Sequence, residues 1–478
     1  MGLRPRLHIF FTMIQTENPG PQHRSAFLVV ACITAFLTPF IGSSVNIALP
    51  SIGGEFNADA VMLGWVATSY LLSAAVFLVP FGRIADIHGM KRIFISGLVI
   101  YTLSSCLSAA AWSAPALIAS RMIQGLGGAM IFGTGTALLI SAYPLQERGR
   151  VLGINVAFVY IGLSAGPFIG GLLTQYLGWR SIFWVNAALG LLPIIITLWK
   201  IRGEWAHAKG EKLDLTGSIV YGLGLVATIF GFSALPDWTG FAALAAGAAI
   251  IFLFVRVELA TENPVLNVRL FVHNRIFAFS NLAAFINYAA TFGVGFLLSM
   301  YLQYIHQLPP QSAGLVMVAM PVVQAAFSPL AGRLSDRFEP QAIASTGMAV
   351  TTLGLMLLVF IDGPTPLWYI VMSLILLGFG FALFSSPNTN AVMSSVDKRA
   401  LSVASATLGT MRLTGQMFSM GITMLIIALV MGRVRITPEF YLQFLLCLRY
   451  AFIVFTLLCF GGIFASLARG KSRNNGDK

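Results

Sequence analysis

Gly82-Arg83-Ile84-Ala85-Asp86-Ile87-His88-Gly89-Met90-Lys91-Arg92 returns in degenerate form as Gly332-Arg333-Leu334-Ser335-Asp336-Arg337-Phe338-Glu339, 250 residues downstream. Each copy follows an apolar run, and both read Gly-Arg-aliphatic-small-Asp. A helix needs about 20 apolar residues to cross a hydrocarbon core, and it alone satisfies its own backbone there. By that measure the chain holds fourteen spans, and the two copies form the loops after spans 2 and 10. Eight spans between copies, rather than six, imply two six-helix bundles with two further helices inserted between them. The expected fold is therefore an all-α integral membrane protein. Its expected parts are a segment 1–24, a bundle 25–200, a linker 201–275 carrying the inserted spans 7 and 8, a bundle 276–468 and a basic tail 469–478.

Composition agrees. The 478 residues are 57% hydrophobic and 10% charged, against about 25% charged in soluble domains. A net charge of +12 raises the question of nucleic acid. The basic residues, however, sit in small groups between apolar runs instead of beside aromatic platforms, so no nucleic-acid partner is expected. With the amino terminus inside, 23 of 29 Lys and Arg fall in cytoplasmic loops and termini, the asymmetry that orients membrane proteins. A multi-pass protein of a cell membrane with both termini cytoplasmic follows. Leu7 to Phe11 is too short for a cleavable leader, and Met13 is an alternative start. Cys32, Cys106, Cys447 and Cys459 lie in apolar runs without metal or redox spacing.

A phosphate-binding glycine loop is missing, so gradients rather than nucleotides supply energy, and no cofactor is implied. The spans hold no nucleophile, metal cluster or acid pair for a membrane enzyme, and no soluble domain for a receptor. A secondary transporter within the lipid bilayer remains, and it is expected to act as a monomer.

The first copy resembles the loop signature of the major facilitator superfamily, Gly-x-Leu-x-Asp-Arg-x-Gly-Arg-Lys. Its residues here are Gly82, Arg83, Asp86, Gly89, Lys91 and Arg92; the second copy contributes Gly332, Arg333, Asp336 and Arg337. Arg121-Met122-Ile123-Gln124-Gly125 is similar to the family's Arg-x-x-Gln-Gly motif. Gly162-Leu163-Ser164-Ala165-Gly166-Pro167-Phe168-Ile169-Gly170-Gly171 is similar to its antiporter motif. With fourteen spans the resemblance points to the EmrB/QacA-like drug:proton antiporter branch, and implies export of amphipathic toxic compounds. Physically, the repeated loops suit a latch between bundles on the cytoplasmic side. Gly162, Gly166 and Gly170 form a four-residue stripe that suits a rocking seam.

One departure matters. Where that branch carries an acid in span 1, this chain reads Ile41-Gly42-Ser43-Ser44-Val45-Asn46-Ile47-Ala48-Leu49-Pro50. All 17 Asp and Glu fall at termini, loops or span edges. The deep charges are instead Arg121, with Gln124 one turn on, and Arg412, with Gln416 at i+4. Each costs about 3 kcal/mol to insert unless it faces a polar interior. Two fixed cations favour neutral or anionic cargo over permanent cations. Together with Asn46 and Asn155, these four residues make the expected substrate and coupling set.

Thr134, Tyr160, Asn281, Asn287, Tyr288, Gln324, Asn388 and Asn390 are further polar groups in or beside spans. Pro387, after Gly378 and Gly380, suggests an interrupted helix. Protons are a candidate coupling ion, through Asp86 or Asp336, through water near Arg121, or carried on the cargo. A lipid or lipid-linked precursor flippase and a gradient-independent facilitator are the alternatives within the same fold.

Overall fold

The computed structural model describes residues 21–201, 203–206, 214–261, 266, 268–397 and 401–470. In chain order the helices are α1 (Pro21–Phe56), α2 (Ala60–His88), α3 (Met90–Ala109), α4 (Ala114–Ala142), α5 (Leu145–Leu177), α6 (Arg180–Lys200), α7 (Leu215–Ala234) and α8 (Trp238–Ala260). They continue with α9 (Arg269–His273), α10 (Arg275–Met300), α11 (Pro310–Met317), α12 (Ala319–Arg337), α13 (Pro340–Leu358), α14 (Leu367–Ser394), α15 (Leu401–Val430) and α16 (Tyr441–Ala468). Among the described residues fourteen helical stretches are long and apolar enough to cross a membrane, α11 and α12 together making one. The end of the molecule carrying Gly89 is called the motif face below, and the opposite end the far face.

The helices outrun the apolar runs that announce them. Asp59 caps α2 by accepting from Met62 N at 2.7 Å, and Asn274 caps α10 by accepting from Phe277 N at 2.9 Å, each meeting a donor that the first turn leaves orphaned. At its other end α2 continues through Gly82 and Asp86 to His88, and α12 runs on to Arg337. Both motif copies, read from sequence as loops, are thus largely helix. The chain turns at Gly89, whose φ of 117° is a glycine conformation.

The interrupted helix expected at Pro387 is also absent, since α14 is continuous across it. The reason lies in packing. Asn388, one residue on, donates to Ser280 O of α10 at 3.1 Å and accepts from Arg469 at 3.0 Å, so neighbours hold the turn in place.

Helices α1 to α6 pack together as one bundle and α10 to α16 as the other. The inserted hairpin is not a loose appendage. Helix α7 pairs with α8 along glycines, and its other side lies on α2 of the first bundle and α15 of the second. Phe232 stacks edge-on against Phe418 at 5.5 Å, and Arg433 donates to Ser233 O at 3.3 Å.

Arg469, counted from sequence as part of a basic tail, is only 1% exposed. Its guanidinium reaches Ser280, Asn388, Pro340 O, Gln341 O and Ser466, tying the ends of α10, α13, α14 and α16. Burial lowers its pKa to about 10, opposed by nearby Glu339, so it stays charged at neutral pH.

Candidate transport site at the bundle seam

Arg121 is buried among the side chains of the first bundle. It is 1% exposed, lying 4.7 Å from the Tyr70 ring centre and 6.0 Å from that of Phe183. It donates to Gln124 Oε1. Gln124 Nε2 then donates to Ser105 at 2.7 Å, Asn186 donates to the same hydroxyl at 2.9 Å, and the Tyr101 hydroxyl donates to Leu37 O at 3.3 Å. The predicted pairing of Arg121 with Gln124 exists, but as the head of a network that joins α4 to α3, α6 and α1.

Arg412 is placed differently. It is partly exposed on α15, donates to Thr389 Oγ1 of α14 at 2.6 Å, and lies 5.8 Å from the Tyr288 ring centre on α10. Its Nε is buried without a hydrogen-bond partner. Among the described residues no carboxylate forms an ion pair with it. Tyr288 packs edge-on against Phe381 at 5.2 Å. From the other bundle, Tyr160 of α5 brings its hydroxyl to 3.1 Å from Ser328 Oγ on α12, in the neighbourhood of Ser385, Tyr288 and Arg412. One guanidinium with a spare donor, two phenols and several hydroxyls therefore converge where the bundles meet. Such a group binds anions and carbonyls through charge-assisted hydrogen bonds and stacks flat rings.

The remaining expected residues are dispersed. Asn155 donates to Ala31 O at 2.9 Å and joins α5 to α1. Gln416 is partly buried on α15. Asn46 sits at the α1/α10 seam, where its main-chain oxygen accepts from Ser299. Ile41, in the position of the missing acid, is 0% exposed in the apolar core. A buried carboxylate does occur elsewhere: Glu258, near the end of α8, is 1% exposed and accepts from Leu266 N at 2.8 Å.

The first motif copy holds the segment after α6, since Glu204 accepts from Lys91 N at 2.8 Å and pairs with Arg92 at 3.7 Å. These contacts lie within one half of the molecule. The side chain of Asp336 lies outside the described residues.

The glycine stripe also differs from expectation. A Cβ on Gly162 would come 2.5 Å from Phe36 O, and those on Gly166 and Gly170 would press on Ser43 and Ser44, so the stripe packs on α1 of its own bundle. The seam instead uses the next residue. A Cβ on Gly171 would meet Pro310 O of α11 at 2.5 Å, and across from it Gly314 abuts Pro167 O. Sequence spacing finds which residues share a stripe, but not which helix the stripe meets.

The far face is closed by these contacts, by Gln311 N on Gln175 Oε1 at 3.2 Å, and by Ala60 N on Val434 O at 3.3 Å.

The chain is 28% identical to the riboflavin transporter RibZ of Clostridioides difficile, over 80% of this chain and 84% of that one. It is 31% identical to the multidrug resistance protein Stp of Mycobacterium tuberculosis, over 78% of this chain and 70% of that one. Its fold matches the solved structure of a bacterial homologue of the human lysosomal transporter Spinster, inward-facing and unoccupied, with a TM-score of 0.69 and 16% identity, over 94% of this chain and 97% of that one. The family model described as Major Facilitator Superfamily matches residues 31–255 and 281–477. With its fourteen membrane-crossing stretches in two bundles and an inserted hairpin, the chain belongs to that superfamily of membrane transporters.

Proposed function

We propose that this chain exports small amphipathic compounds by alternating access, favouring neutral or anionic cargo, with the motif face and both termini cytoplasmic. The observation that carries this reading is Arg412, a fixed cation at the bundle seam with a spare donor and no carboxylate pairing with it among the described residues. A guanidinium carries positive charge and only hydrogen-bond donors, so the seam attracts anions and repels permanent cations. Tyr160, Tyr288 and Phe381 add flat apolar surface, which suits ring-bearing cargo. A relative named for multidrug resistance supports export, and one named for riboflavin transport supports a planar ring system. Contacts across the far face support a cycle in which cargo loads from the motif face.

The test uses three probes on one scaffold: 1-naphthoate, 1-naphthamide and a naphthyl trimethylammonium, in proteoliposomes with and without a pH gradient. The anion and the amide are expected to move and the quaternary cation to lag. Arg412→Gln is expected to cut movement of the anion about ten- to a hundred-fold, the worth of one charge-assisted bond, while the amide changes less than about two-fold. Preferential movement of the cation would overturn the reading.

A further inference from the structure

Pro50 lies inside α1 near the far face. Proline has no N–H, so Asn46 O, four residues back, loses the partner an unbroken helix supplies. Both it and its neighbour are taken up from the other bundle. Ser299 on the last turn of α10 donates its hydroxyl to Asn46 O at 2.6 Å. Gln303 Nε2 donates to Ile47 O at 2.9 Å and lies 3.1 Å from Ser299 Oγ.

Gln303 reaches that position because the chain there is not α-helical. Residues Tyr301–Ile305 form a π-helical turn, and its extra residue per turn rotates side chains away from the face an α-helix would present. The turn is itself anchored in its own bundle, since the Tyr301 hydroxyl donates to Asp362 O at 2.5 Å and meets His306 Nε2 at 3.1 Å. Ser299 is 0% exposed. A proline-opened helix in one bundle thus faces a π-turn in the other, with Ser299 on the carbonyl that the proline leaves free and Gln303 on the carbonyl beside it.

We infer that Ser299 and Gln303 are the lock of the far-face gate, and that Pro50 creates the acceptor they close on. They are positioning residues: they act on the equilibrium between bundle arrangements and not on cargo. In the alternating-access reading proposed above, on which this inference rests, opening the far face breaks both bonds and leaves Asn46 O and Ile47 O to water in the opened cavity. Purely neutral partners suit this use, because a lock of hydrogen bonds to main-chain oxygen is strong enough to bias the gate and weak enough to release.

The experiment measures spacing across the far face without any cargo. Spin labels at Leu177→Cys on α5 and Leu442→Cys on α16, both exposed, report the separation by double electron–electron resonance in lipid nanodiscs, with Cys106→Ala throughout. Short distances are expected to dominate in the parent. Ser299→Ala and Gln303→Ala are each expected to raise the open-to-closed ratio about five-fold, the worth of one hydrogen bond.

Pro50→Ala distinguishes a lock from ordinary helix packing. It returns an N–H to α1, so it should open the far face while leaving thermal stability equal or higher. Gln303→Asn, one methylene shorter, is the mild variant if alanine proves too disruptive. Unchanged distances in all four variants, or opening seen only in proportion to lost thermal stability, would overturn the inference. Because no transport is read, that result stands apart from any failure of the export reading.

Discussion

Arg121 and Arg412 have the same local signature, an arginine with a glutamine three or four residues on, and opposite surroundings. Arg121 is enclosed by rings and bonded into a network that crosses four helices. Arg412 keeps an unused donor at the seam. Arg121→Leu is therefore expected to destabilise the purified protein by about 2 kcal/mol, since it strands Gln124 and weakens its partners. The ratio of anion to amide transport should stay unchanged. Arg412→Gln should reverse that pattern, shifting the ratio with little effect on thermal unfolding. Scanning fluorimetry on both variants beside the naphthalene series checks the pair. Sequence identified these residues as the deep charges, but it could not separate their roles: i to i+4 spacing specifies the face of one helix, and exposure depends on the helices opposite.

At the scale of elements, two glycines five residues apart on α5 serve different contacts. Gly166 packs on Ser43 and Phe40 of α1 inside one bundle, whereas Gly171 abuts Pro310 of α11 across the seam. Gly166→Val is expected to cost about 2 kcal/mol by overpacking, read as a lower unfolding temperature. Gly171→Val should leave stability within about 0.5 kcal/mol, because the bundles can part there. It should raise the far-face-open population in the spin-label measurement and slow transport. The existence of spans was legible because each apolar run exceeds the length needed to cross a bilayer. Their ends were not, because α2 and α12 continue through charged residues that lie past the hydrocarbon, and capping side chains, not hydropathy, set the start of α2 and α10. Pro387 misled for a related reason. Proline is a helix breaker in water, but lateral bonds from Asn388 keep α14 continuous.

At the scale of the whole molecule, the repeat of a short motif eight spans apart predicts the two-bundle plan, and the helix packing agrees with it. The same reading places the inserted pair between the halves in sequence, yet says nothing of where it docks. In the structure α7 bridges α2 and α15. Orientation is the whole-molecule prediction. In intact cells a membrane-impermeant maleimide should label Trp112→Cys, at the far face and 82% exposed. It should reach His88→Cys at the motif face only after permeabilisation; the opposite result would invert the proposed topology.

The fixed charge of Arg412 also bears on what drives transport. The cation stays in the protein through the cycle, so a singly charged anionic cargo carries its own charge across the membrane. An inside-negative voltage of 100 mV then contributes about 2.3 kcal/mol to each anion expelled. Under the export reading proposed above, the electrical half of the membrane's energy is available for such cargo without a titrating acid at the seam, and dissipating the voltage should slow export of the anion while leaving its neutral analogue untouched.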